Sequence, residues 1–87
     1  MASLTAANTY TTPVLLQAGD GFDVVVQGTF VGTITAQISK DQSTWVDVDT
    51  LATAGILTGS LGSAWYVRAG FKTGAYTSGT ADVEVYF

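Results

Sequence analysis

Eighty-seven residues provide for a single domain, and a net charge of −4, from seven acids against three bases, leaves little for binding phosphates. Lys40, Arg68 and Lys72 are the whole basic complement, too few and too scattered to hold nucleic acid or an anionic membrane surface. Without cysteine or histidine there can be no disulfide, no thiol nucleophile, no histidine-based triad and no Cys/His zinc site.

Val, Ile and Thr supply 27 of the 87 residues, and ten glycines punctuate them. That is the composition of pleated strands joined by tight turns. Residues 1–12 are small and polar with no firm pattern, and are read as an amino-terminal arm or edge segment. Such a segment lies along its own sheet or adds to a neighbour's. Residues 13–87 form the domain proper. Pro13 belongs at a strand start or an edge, before Val14-Leu15-Leu16. Gly19-Asp20-Gly21 then turns into a strand in which Phe22, Val24 and Val26 alternate with Asp23, Val25 and Gln27. After Gly28-Thr29, Ile34, Ala36 and Ile38 alternate with Thr33, Thr35 and Gln37. Lys40-Asp41-Gln42-Ser43 is a polar break suited to an Asx turn at Asp41. Beyond it Val46 and Val48 alternate with Trp45, Asp47 and Asp49. Gly59-Ser60-Leu61-Gly62-Ser63 opens onto Trp65, and Thr77-Ser78-Gly79 onto Val83, Val85 and Phe87, which alternate with Asp82, Glu84 and Tyr86. Period-two alternation with no helical stretch predicts an all-β fold, a small antiparallel β-sandwich of about seven to eight strands with no helix.

The chemistry-bearing residues are sparse. Six serines (Ser3, Ser39, Ser43, Ser60, Ser63 and Ser78) have Lys40 or Lys72 as their sole conceivable bases. Ser39 and Lys40, being neighbours on a strand, point to opposite faces. Paired carboxylates can hydrolyse glycosides, yet a chain of this size has little room for the flanking cleft. The chain is therefore expected not to be an enzyme, with no catalytic, cofactor or metal residue assigned. Asp47 with Asp49, and Asp82 with Glu84, each place two acids on one strand face. They are read as solvated faces that Arg68 or Lys72 pairs across strands, and the alternative is a calcium site without a dedicated loop. Asp20 between two glycines is read as turn chemistry. Trp45, Trp65, Tyr66, Tyr76 and Tyr86 have three possible uses: core, protein interface or a sugar-stacking platform. The alternation after Trp45 and Trp65 suits core or inter-sheet packing.

The run from Val26 through Gly28-Thr29-Phe30-Val31-Gly32-Thr33 to Ser39-Lys40-Asp41 and Thr44-Trp45 resembles small virion proteins of tailed bacteriophages. These show a Gly-Thr-Phe-x-Gly-Thr strand pair, then Ser-x-Asp and Thr-Trp. Trp65-Tyr66-Val67-Arg68-Ala69-Gly70 and Ser78-Gly79-Thr80-Ala81-Asp82-Val83-Glu84-Val85 fit as well, so the resemblance runs from about Pro13 to the end. It departs where relatives often carry a Gly pair, replaced here by Gln42-Ser43. The resemblance implies a capsid decoration (cement) protein that stabilises a phage head through contacts with the major capsid protein or another virion protein. It also implies a homo-oligomer, a trimer being preferred because decoration proteins often sit on local threefold axes. The rival is a carbohydrate-binding or adhesive β-sandwich module of a phage tail or fibre. The expected location is the virion, after synthesis in the host cytoplasm. Met1-Ala2-Ser3-Leu4 does not read as a signal peptide, and no apolar run approaches the roughly 20 residues of a membrane span.

Overall fold

A computed structural model describes residues 2–87. In chain order the strands are β1 (Ala2–Leu4), β2 (Thr9–Tyr10), β3 (Val14–Leu16), β4 (Gly21–Gln27), β5 (Phe30–Ser39), β6 (Val46–Leu51), β7 (Gly55–Ser60), β8 (Trp65–Gly79) and β9 (Ala81–Tyr86). The described residues contain no helix. The first sheet runs β1-β9-β4-β7. The second runs β2-β8-β5-β6, with β3 beside β8 as well, and every pairing is antiparallel. The chain is an all-β sandwich.

The two strand orders correspond rank by rank. β1 continues into β2, β4 into β5, β6 into β7 and β8 into β9, so each strand of one sheet leads directly to the strand of equal rank in the other. Two of these corners are tight and lie side by side: the Thr80 N–H donates to the Thr29 carbonyl at 2.9 Å. Gly28 and Gly79 make them possible. Both have positive φ, and a Cβ at either would come within 2.5 Å or less of a carbonyl oxygen of the opposite corner. Corners in which strands switch sheets are a recognised way of closing a sandwich.

The inward faces carry the alternation expected of them. Phe22, Val24, Val26, Leu57, Val83 and Val85 from the first sheet meet Ile34, Ala36, Val67, Ala69 and Phe71 from the second, all buried. Phe71 is the largest fully buried side chain, with Phe30 edge-on at 5.6 Å and Tyr76 edge-on at 4.9 Å. Phe22 lies over its cross-strand partner Gly59, where a Cβ would come within 2.7 Å of the ring.

Among the described residues nine strands stand where seven to eight were expected, because the amino-terminal segment adds two. β1 pairs with β9 and β2 with β8, and Leu4 reaches the core. The segment thus crosses from one sheet to the other along edges of its own domain. Pro13 falls between the edge strands β2 and β3, as the missing N–H of proline requires.

One strand departs from its alternation. Gln37 pairs with Asp47 and Ala36 with Asp49, so Val48 is the extra residue of a β-bulge. The bulge breaks the period of two, and Asp47 and Asp49 do not share the face that their spacing predicted. Val46 and Val48 stay 52% and 47% exposed, because β6 is an edge strand. The β5–β6 turn also answers the missing glycine pair. Gln42 itself adopts positive φ (61°), while Asp41 accepts hydrogen bonds from the Ser43 and Thr44 N–H groups at 2.9 and 3.0 Å. An Asx turn closed by a side chain tolerates a left-handed residue there without glycine.

Candidate interaction face

Alternation turns Gln37, Arg68 and Lys72 away from the core, onto the outer face of the second sheet. Tyr10 of β2, at the edge beyond β8, lays its ring 3.8 Å from the Arg68 guanidinium carbon. Trp45, just before β6, lays its ring 4.0 Å away. The guanidinium therefore stacks on both rings, a favourable placing for a planar, weakly hydrated cation. Its Nε donates to Gln37 Oε1 at 2.9 Å, Gln37 Nε2 donates to Asp47 Oδ1 at 2.8 Å, and Lys72 Nζ donates to Asp47 Oδ2 at 2.6 Å. This chain of bonds crosses β8, β5 and β6 and satisfies both ends of the Gln37 amide, which is only 5% exposed. Thr35 and Ser39 are buried on the same strand, so the sheet carries a second, polar layer on its outer side. Among the described residues no buried side-chain polar atom lacks a partner.

The anticipated cross-strand pairing of the acids is met by Lys72 on Asp47, whereas Arg68 takes the Gln37 amide and two rings. Burial draws the Arg68 pKa below the ordinary guanidinium value, which still leaves it charged at neutral pH. Lys40, at the end of β5, lies 4.2 Å over Trp65 and donates to Ser63 Oγ and the Ala64 carbonyl, both at 2.6 Å. All three bases thus belong to the second sheet and its β5–β6 turn. The outer face of the first sheet carries Asp23, Asp82 and Glu84, with Ser3 donating to Asp82 at 2.6 Å. The sandwich is polarised between its two faces.

The aromatics singled out by sequence do not converge. Trp65 packs against the core from its edge, and Tyr76 packs on Phe71 while its hydroxyl donates to the Gly79 carbonyl. Tyr66 lies between Leu15 and Ser39 on the outer face of the second sheet. Tyr86 is on the first sheet, 52% exposed. Of the five, Trp45 alone packs on Arg68, and the other ring on that guanidinium belongs to Tyr10, which no local pattern marks as a site residue. The serines are likewise dispersed: Ser39 is buried and accepts the Asp41 and Gln42 N–H groups, Ser3 holds Asp82, and Ser63 accepts from Lys40. Two open depressions of about 320 and 380 Å³ each contain one carboxylate, Glu84 and Asp23, and no basic side chain. Among the described residues no three acids gather.

Two carboxyls are held below the usual aspartate value. The Thr44 and Ser43 N–H groups and the Ser39 hydroxyl do this for Asp41, and Lys72 and Gln37 do it for Asp47. A depressed folded pKa contributes stability that is complete above the unfolded value of about 3.9 and is lost as pH falls through the lower folded values. The melting temperature is expected to hold from neutral pH to about pH 5 and to fall below about pH 4. Asp41→Asn with Asp47→Asn should flatten that fall in a thermal scan. Lys72 behaves in the mirror sense: Asp47 raises its pKa from 10.5, so its share is present below that value and is lost on titration above it.

Comparison with known proteins finds no matching family model, no matching curated sequence and no matching solved structure.

Proposed function

We propose that the chain is a structural virion protein, a capsid decoration protein that grips the shell with the outer face of its second sheet and catalyses no reaction. The observation that carries this reading is the Tyr10–Arg68–Trp45 stack. Tyr, Arg and Trp dominate the centres of protein interfaces, and here they are ordered before any partner arrives, so less side-chain entropy is lost on docking. The virion context rests on the resemblance carried by Gly28 to Trp45. The major capsid protein or another virion protein is the proposed partner. Self-association supplements a thin core that has no disulfide. Carbohydrate binding on a tail or fibre is served less well, because a guanidinium already takes one face of each of these two rings.

The test is co-sedimentation of the purified chain with its native particle stripped of it. Arg68→Ala and Trp45→Ala should each weaken attachment by at least about tenfold, as expected of central interface residues. Tyr86→Ala, on the other face, should leave attachment unchanged. Full particle occupancy by both stack variants would overturn the assignment of this face. Loss of glycan binding in Trp45→Ala, with no particle attachment by the wild type, would favour the rival.

A further inference from the structure

A sandwich has four outer strands, and an exposed strand edge invites pairing unless it is shortened, broken, bulged or charged. Three of the four here carry such devices. β1 is three residues long, and β2 and β3 are two and three residues separated by Pro13. β6 is bulged at Val48 and charged at Asp47 and Asp49. β7 has none of them. Its residues, Gly55-Ile56-Leu57-Thr58-Gly59-Ser60, pair with β4 in six consecutive positions, without a charge, a proline or a shift of register. Ile56 is 62% exposed on it.

The direction of its free backbone groups follows from the residue just beyond. The Leu61 N–H donates to the Asp20 carbonyl at 3.1 Å, and the Leu61 carbonyl accepts the Gly19 N–H at 2.8 Å. Both groups of Leu61 therefore turn toward the chain leading into β4. Alternation along an antiparallel strand then turns Gly59, Leu57 and Gly55 to β4, and leaves the N–H and C=O of Ile56, Thr58 and Ser60 facing outward.

We infer that β7 is a self-pairing edge, at which a second copy of this chain adds its own β7 antiparallel about a twofold axis through Thr58. In that register Thr58 lies opposite Thr58 of the second copy, and each Ile56 lies opposite Ser60. Every outward N–H then meets an outward C=O, in about six hydrogen bonds. The register is even, so the apolar faces stay on the same side and the two first sheets become one. Charge selects the occupant. With a net charge of −4, two copies repel over most of their surface, and pairing through β6 sets Asp47 and Asp49 against themselves. β7 is neutral along its whole length. In this register the exposed Ile56 lies against Ser60 of the second copy. This contact is twofold, unlike the threefold arrangement implied by the resemblance, and it does not depend on the virion role.

Sedimentation equilibrium of the full chain tests it. The wild type is expected to be a reversible dimer. Thr58→Pro removes an outward N–H while leaving the β4 pairing intact. Two lost donors per dimer should weaken association by about 30-fold or more at a nearly unchanged melting temperature. Thr58→Lys, which sets two ammonium groups together at the axis, should give the same loss and decides the matter if the proline variant does not fold. Leu15→Lys, on the opposite edge, should dimerise as the wild type does. A wild type that stays monomeric at millimolar concentration, a trimer, or a dimer indifferent to both Thr58 variants would overturn the inference.

Discussion

Phe71→Ala is expected to cost about 3–5 kcal/mol, the range for truncating a fully buried aromatic. Chemical denaturation, or thermal denaturation if the variant is too unstable, measures it. Phe71 is fully buried and central to the inner face of the second sheet, paired in register with Ile34. Phe30 and Tyr76 both meet its ring edge-on, so both lose their partner when it is removed. Tyr76 in turn holds the Gly79 carbonyl at the corner where the chain passes to the first sheet. The surroundings cannot collapse readily into the gap. β8 bulges on either side of Tyr76, and Gly32 already brings its backbone against the ring, with space for a Cβ only 3.1 Å from it. A domain this small has net stability toward the low end of about 5–15 kcal/mol, so the variant should be largely unfolded at ambient temperature. Phe71→Leu should restore most of the loss. A cost below about 1 kcal/mol for the alanine variant would contradict this account of the core.

Gly70→Ala is the second large effect, and it acts through the backbone. Gly70 alternates with Arg68 and Lys72 on the outer side of β8, directly opposite Tyr10. An added Cβ would stand 2.1 Å from the Thr9 carbonyl oxygen and 2.6 Å from the Tyr10 Cα, main-chain atoms that cannot rotate aside. β2 must therefore leave β8. It takes with it the Tyr10 ring over Arg68 and the paired bonds between Thr11 and Ala69, where the Thr11 N–H meets the Ala69 carbonyl at 2.8 Å and the Ala69 N–H meets Thr11 Oγ1 at 3.1 Å. Losing these together should cost about 3 kcal/mol. Hydrogen exchange at the Thr11 and Ala69 amides should accelerate, while the β4–β9 amides remain as protected as the lower global stability allows. Deleting residues 2–10 should produce the same exchange at Thr11 and Ala69 at a larger cost, because it also removes β1 and the core residue Leu4. In the truncated chain Gly70→Ala should then add little, because the atoms it strikes are gone. Additive costs would show that Gly70 is sensitive for another reason. Both changes should also weaken particle attachment, since each removes one ring from the Arg68 stack.

Much of the fold was legible in the residues. Phe22-Val24-Val26, Ile34-Ala36-Ile38 and Val83-Val85 alternate and turn inward as expected, although on β5 the polar side, Thr35, Gln37 and Ser39, is buried as well. Gly28 and Gly79 marked the corners, and Asp41 marked the turn that its carboxylate now closes. The failures have equally local causes. Nothing in Trp45-Val46-Asp47-Val48-Asp49 announces that Val48 is surplus. A bulge is set by what the neighbouring strand offers, and one extra residue changes the side to which everything after it points. The alternation after Trp45 suits core or inter-sheet packing and leaves an interface or a sugar platform open; Trp45 lies on the solvent side of a sheet and packs on a cation. Sequence period distinguishes one face from the other without stating which is covered and by what.

The period of the strands, the positions of the turns, the lack of histidine and thiol chemistry and the scarcity of positive charge are all written in the order of the residues. These are properties of single residues and of their nearest neighbours, which the backbone reads out directly. That an unpatterned Tyr10 closes over Arg68, that Gln37 becomes the buried link between Arg68 and Asp47, and that β7 is left with an open, neutral edge are outcomes of the assembled sheets. Each of these depends on which strands lie side by side. Strand order is settled by the burial of both sheets at once, through contacts between residues far apart in the chain, and no local pattern encodes it.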